Sequence, residues 1–343
     1  MRILMFTDNH FSEKSSIITR YGTNFTLRLE NQIRSLNWVE RTAHEKDCDL
    51  VICLGDFFDH AHLTDQELTA LDQIQWNSLN HYFLVGNHES EENDLQYSST
   101  MALSGAHRYI ISEPTIKQID AATELAFLPY IVESNRKDIT DYFPPMTKKT
   151  RILLSHNDLL GVQMGPIVSR TGFPVEELES SASIIFNGHL HNGQAITNKV
   201  INLGNLTGAN FSEDASRYAH RIVVLDTATL EYEYIENPFA FNFYKLDINE
   251  KTDITMLVNL KQNAVVSIKC RDSLLAEVRE LLASLDNIIE SRIIITKEYT
   301  EVNNDTADIS SLMVDQCAKF AECCRARLDN NEVLEAELAE ILK

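Results

Sequence analysis

The chain has 343 residues, 51 acidic against 30 basic, and a formal net charge of −21. That balance argues against a protein that coats nucleic acid by bulk electrostatics, although bound divalent cations or a basic partner can offset phosphate charge locally. No apolar run approaches the roughly 18 residues that span a bilayer, and the six cysteines contain no Cys-x-x-Cys pair, so a reduced, cytoplasmic protein without membrane segments is expected.

The length suits one large domain plus a smaller one. Residues 2–6 read as a buried first strand rather than a leader, because the apolar run is short and a polar motif follows at once. A helix follows, with Leu29, Ile33, Leu36 and Val39 at three- and four-residue spacing. Residues 50–54 read as a second strand, 65–79 as a helical segment and 82–85 as a third strand. This alternation predicts a parallel α/β core, whose ligand site lies beyond the carboxyl ends of its strands. Later strands are expected at 151–155, 184–187 and 199–203, and a closing hairpin at 221–226 and 230–235. Asn237-Pro238 marks a boundary. Beyond it, strands at 265–270 and 292–296 and a helix near 273–285 predict a small α+β domain. A polar linker at 299–308 leads to two amphipathic helices, one with Met313, Cys317, Phe320, Cys324 and Leu328 on a stripe, the other with Leu334, Leu338 and Ile341.

Five motifs punctuate the first part of the chain: Asp8-Asn9-His10, Gly55-Asp56-Phe57-Phe58-Asp59, Gly86-Asn87-His88-Glu89, Ser155-His156-Asn157 and Gly188-His189-Leu190-His191. Each follows an apolar run, so all five fall at strand ends. Together they read as one centre for two divalent metal ions. Asp8 and His10, two residues apart, would reach one metal from one side of an extended backbone. Asp56 would bridge both metals, with Gly55 allowing the tight turn. His189 and His191 could each serve a different metal. Asn87 offers a neutral oxygen, and His156 completes the set. Mixed Asp, Asn and His ligation favours manganese, iron or zinc, and the absence of thiolates speaks against a structural zinc.

This motif series resembles the calcineurin-like metallophosphoesterase superfamily. Within it the chain is similar to the SbcD-like nuclease subunits, especially their phage recombination-endonuclease counterparts. The resemblance covers residues 1–236; for 237–298 and 299–343 it is one of layout. It implies a two-sheet metallophosphoesterase sandwich flanked by helices, a small α+β cap domain and a C-terminal helical tail. It also implies one metal on Asp8, His10, Asp56 and His191, and a second on Asp56, Asn87, His156 and His189. Manganese is the metal expected by resemblance. His88 would be the catalytic histidine, protonating the leaving oxygen or stabilising the transition state, with Glu89 orienting its ring. The implied activity is 3′→5′ double-strand exonuclease and single-strand endonuclease, in recombination, repair and replication. No Gly-x-x-x-x-Gly-Lys-Ser/Thr motif is present, so an SbcC-like ATPase would be the partner, docked on the tail. The resemblance further implies a homodimer within a heterotetramer. Lys14 and Arg20 are candidate DNA contacts.

Two departures stand out. The nuclease branch reads Gly-Asn-His-Asp, whereas Glu89 follows His88 here. Ser/Thr protein phosphatases share Gly-Asn-His-Glu but pair it with an arginine after the second aspartate motif, where this chain has His60, Ala61 and His62. A phosphodiesterase acting on a small substrate, such as a cyclic nucleotide, explains the acidic charge better but not the added domain and tail. A scaffold with a vestigial site would have lost ligands, and none is missing.

Overall fold

The computed structural model describes residues 1–91, 94–146, 150–164 and 167–296. Two six-stranded sheets dominate. The first runs Tyr232–Glu236, Arg221–Asp226, Arg2–Phe6, Leu50–Cys53, Asn80–Leu84, Arg108–Ile111 from edge to edge; its last four strands are mutually parallel, and the hairpin at the other edge is antiparallel. The second runs Gln194–Ala195, Val200–Asn202, Ile184–Asn187, Thr150–Ser155, Thr123–Leu128, Thr115–Gln118, again with four parallel strands at its centre.

Strand alternation builds the layers. Ile3, Met5, Leu50 and Ile52 face Leu125, Phe127, Ile152 and Leu154 in a core between the sheets. Their neighbours Leu4, Phe6 and Val51 turn outward into a second core under the helices. Helix Leu27–Glu45 buries the predicted stripe of Leu29, Ile33, Leu36 and Val39 there, and Thr26 caps it by accepting the Leu29 N–H. Helices Ile139–Tyr142 and Val175–Ser181 cover the outer face of the second sheet. The expected two-sheet sandwich flanked by helices is what the chain forms.

Some elements differ from their reading in the sequence. The second helix is only Asp65–Leu71, started by a Thr64–Glu67 capping box. Its expected continuation stops because helix Leu27–Glu45 offers better partners: Asn37 Oδ1 accepts the Gln75 N–H and Glu40 Oε2 accepts the Asn77 N–H. Strands Arg108–Ile111, Thr115–Gln118 and Thr123–Leu128 were not predicted. The first two are partly or fully exposed edge strands with weak apolar patterning. The third, with Leu125 and Phe127 buried, is a central strand.

Strands Asn242–Ile248, Ala264–Arg271 and Ile288–Thr296 form a third, parallel sheet. One face packs on helix Leu275–Ser284 through Val266, Ile268 and Val278. Phe243 and Val265, on the other face, pack with Ile18, Phe211 and Phe241. No helix among the described residues is long and apolar enough to cross a membrane. The linker and the two tail helices expected at 299–343 lie outside the described residues.

Candidate metal centre

All five motifs sit where parallel strands of both sheets end, so the site spans the rim of the sandwich. Two backbone bonds tie the first two turns together: Asp8 N–H to Gly55 O and His10 N–H to Asp56 O, each 3.0 Å. The expected extended geometry for Asp8 and His10 is corrected here. Both have left-handed backbones (φ 49° and 47°), as do Asp56 (48°) and His189 (72°). Such conformations cost side-chain-bearing residues energy and persist where their surroundings impose them. The four residues converge through these turns, not through strand alternation. The motif glycines make room: a Cβ on Gly55 would lie 2.4 Å from His156 Nδ1, and one on Gly86 2.1 Å from Asp56 Oδ1.

The ligand atoms fall into two main groups sharing a centre, bridged by a third made of His10, Asp56 and His88. Asp8, His10 and His191 bring their ligand atoms within 4.8 Å of one another, and so do Asp56, His156 and His189. Asp56 Oδ2 lies between the groups, 3.2 Å from His156 Nε2 and 4.0 Å from His10 Nε2. Asn87 Oδ1 is 2.9 Å from His189 Nδ1 and 3.3 Å from His156 Nε2. His189 and His191 thus part company, one to each group.

The outward nitrogens of His156, His189 and His191 each face an acceptor. His156 Nδ1–H meets Leu54 O at 2.8 Å, His189 Nε2–H meets Asp158 Oδ1 at 3.1 Å and His191 Nδ1–H meets Glu213 Oε1 at 2.6 Å. Asp59 Oδ1 lies 3.1 Å from His10 Nδ1. With the outward nitrogens held by these acceptors, the inward ones are the atoms that would give up a proton and offer a lone pair to a metal. Two of these, His10 Nε2 and His191 Nε2, confront each other at 2.9 Å, and buried Asp8 Oδ1 has no hydrogen-bond partner. An orphaned carboxylate oxygen beside converging imidazole nitrogens is what a cation satisfies, and with ligand atoms gathered on both sides of Asp56 the residues fit a pair of divalent ions.

The electrostatics agree. Burial opposes charge on His156, yet Asp56 and Asp8 outweigh it and hold the imidazole at about 9. Burial opposes ionisation of Asp56 as well, but His156 and His10 keep its carboxyl far below the usual range. A site that attracts protons this strongly attracts metal cations for the same reason.

His88 stands at the rim, its side chain 43% exposed, and its Nδ1–H donates to Asp59 O at 3.1 Å. That leaves Nε2 as its free nitrogen. The orienting role expected of Glu89 is corrected by its position. Glu89 is fully buried, and its carboxylate accepts the Phe58 and Gly86 N–H groups at 3.0 and 2.8 Å. It braces the two turns under the site, while Asp59 supplies the contact to His88.

Sequence reasoning assigned no role to Asp59, Asp158 or Glu213. Asp59 closes the second motif and Asp158 lies two residues past His156, so both carried a faint signal; Glu213 carried none. Lys14 lines a cleft of about 720 Å³ that also includes Tyr21, Arg28 and Asp59. Arg20 pairs with Glu290 of the third sheet at 3.6 Å.

A site of this geometry on a two-sheet sandwich defines a metal-dependent phosphoester hydrolase. The calcineurin-like phosphoesterase family model matches residues 1–193, and the chain belongs to that family. Among curated protein sequences none matches it. Solved structures with a similar fold include an archaeal phosphodiesterase, 15% identical, covering 69% of this chain and 99% of its own, TM-score 0.35. Others are a dimetal phosphatase from Danio rerio, 14% identical, 69% and 98% covered, TM-score 0.40, and calcineurin-like phosphoesterase YfkN from Bacillus subtilis, 12% identical, 69% and 88% covered, TM-score 0.35. At such identities the likeness says nothing about substrate.

Proposed function

We propose that this chain is the nuclease subunit of an SbcD-type complex, hydrolysing DNA phosphodiesters as a 3′→5′ double-strand exonuclease and a single-strand endonuclease. The observation that carries the reading is the open cleft leading from Asp59, beside His10 and His88, along residues 13–21. Its wall is braced by the third sheet, through Arg20 on Glu290 and Ile18 against Phe241 and Val265. With Lys14 on its wall, the cleft offers a seat for the strand that flanks the scissile phosphate.

Two divalent ions, manganese by preference, would neutralise phosphate oxygens and lower the pKa of water when bound. Asp8, His10 and His191 would hold one, Asn87, His156 and His189 the other, and Asp56 both. His88, fixed through Nδ1 by Asp59, presents Nε2 to the leaving oxygen and delivers a proton to it. An SbcC-like ATPase would dock on residues 299–343, and two copies of each subunit would assemble. The net charge of −21 favours one other reading, a phosphodiesterase acting on a small diester such as a cyclic nucleotide.

The deciding experiment offers linear duplex DNA, single-stranded DNA and a cyclic nucleotide to the purified chain with manganese, with magnesium and with chelator. Manganese-dependent DNA cleavage, lost in His88→Ala, supports the nuclease. Hydrolysis of the cyclic nucleotide alone, with DNA untouched even after addition of the ATPase, overturns it. Deleting residues 297–343 should abolish ATPase capture while small-diester hydrolysis survives.

A further inference from the structure

We propose that Glu213 is the positioning residue that fixes His191 for one of the two cations, completing the centre from beyond the matched residues 1–193. The inference rests on the metal centre and not on the choice of DNA as substrate.

Three carboxylates stand behind the histidines, and they are not equivalent. The side chains of Asp59 and Asp158 are 35% and 25% exposed, whereas that of Glu213 is 1% exposed. Water can replace an exposed acceptor; it cannot easily replace a buried one. The Glu213–His191 contact of 2.6 Å is short even for a charge-assisted bond. The carboxylate is also held in place. Its Oε2 accepts the Ala209 N–H at 2.7 Å, and its Oε1 accepts Asn210 Nδ2–H at 3.2 Å.

The loop that carries Glu213 is itself tethered to the site. Asn205 N–H donates to His191 O and Leu206 N–H to Thr7 O, both at 3.1 Å. Past Glu213, Ala215 N–H donates to Phe243 O at 2.9 Å, and the Phe211 ring packs on Phe243. Glu213 is therefore pinned between the Asp8 turn and the third sheet. At His10 it is the main chain that is held, Gln32 and Arg28 both donating to its carbonyl. His156 is oriented by the main chain at Leu54. Among the described residues only Glu213 meets His191 Nδ1. Without it the ring is free to rotate and to take the wrong tautomer, and the lone pair on Nε2 is no longer aimed at Asp8 and His10.

The test uses the full chain, stripped of metal and titrated with manganese. Calorimetry gives the affinities, and the electron paramagnetic resonance of bound manganese separates coupled pairs from single ions. The wild type should bind two ions. Glu213→Gln should keep one at full affinity and weaken the other by about 10–100-fold. His191→Ala should weaken the same ion, and the double variant should bind manganese no worse than His191→Ala alone, since Glu213 acts through that ring. Two ions at wild-type affinity in Glu213→Gln would overturn the proposal. So would a further loss in the double variant, which would make Glu213 a general brace of the loop. If circular dichroism shows that Glu213→Gln does not fold, Glu213→Asp decides: its charge is kept but its reach is one methylene shorter. Selective weakening of one ion supports the proposal and unchanged affinity refutes it. A wild type that binds no manganese would instead sink the metal centre itself.

Discussion

Replacing Gly86 by alanine adds one methyl group at the most crowded point under the centre. Gly86 is not among the glycines with positive φ, so its backbone accepts alanine and the effect is steric. The new Cβ would stand 2.1 Å from Asp56 Oδ1 and 2.5 Å from Asp56 N. Real Cβ contacts essentially never fall under 3.0 Å, so the carboxylate must retreat by about 1 Å. The Asp56 backbone blocks relief in the other direction. That retreat stretches the bond from His88 N–H to Asp56 Oδ1, now 3.0 Å, and moves the residue expected to touch both metals. Overpacking of this kind costs about 1–3 kcal/mol of stability, and a displacement of about 1 Å in a reacting constellation costs on the order of 100-fold in rate. Turnover of bis(p-nitrophenyl) phosphate, bound manganese per chain and thermal unfolding would be measured side by side. Gly161→Ala is the control: open space surrounds that position, but its φ is +79°, so it should lose about 1 kcal/mol and no activity. Wild-type turnover with two ions bound in Gly86→Ala would refute the steric account of the Asp56 turn.

Asp8→Ala should abolish manganese loading, whereas His88→Ala should keep both ions and lose turnover; equal metal loss by mass spectrometry in both would contradict the assigned roles. In the metal-free protein, burial and then the Asp56 charge push the Glu89 carboxyl from 4.5 up to about 7. Between those values the folded chain holds a proton that the unfolded chain has released. This stabilisation is complete below pH 4.5 and lost as pH rises through 7, by roughly 3 kcal/mol at most. Urea unfolding of chelated protein across that range should show a shallower decline in Glu89→Gln, and parallel curves would count against the shift. Gln32→Leu removes bonds from Nε2 to Asn9 O (2.8 Å) and His10 O (2.7 Å) and from Ser12 N–H to Oε1 (3.1 Å). Arg28 still donates to His10 O, but leaving Asn9 O and Ser12 N–H unpartnered should cost about 2 kcal/mol and weaken manganese binding at the His10 group; a loss under about 1 kcal/mol by urea titration would show that water replaces the amide.

What the sequence by itself determined was the set of strand-end motifs that converge on the candidate centre, and the strands that end in them. Asp8, His10, Asp56, Asn87, His156, His189 and His191 were legible because each lies within a few residues of an apolar run, and local spacing survives in a linear reading. The Leu27–Glu45 helix was legible for the same reason, its stripe being a matter of three- and four-residue spacing. The early end of the second helix was not, because Asn37 and Glu40 take the Gln75 and Asn77 amides across a 37- to 38-residue separation. Only the tertiary structure decided which acceptor stands behind each histidine. Glu213 reaches His191 from 22 residues away and Asp158 reaches His189 from 31, and a single carboxylate leaves no periodic trace. The same holds for Glu89, which sequence adjacency assigned to His88 but which folding turned inward, onto the Phe58 and Gly86 amides. Left-handed turns at Asp8, His10, Asp56 and His189 aim the ligands, and such conformations are imposed by packing against residues that propensity does not know.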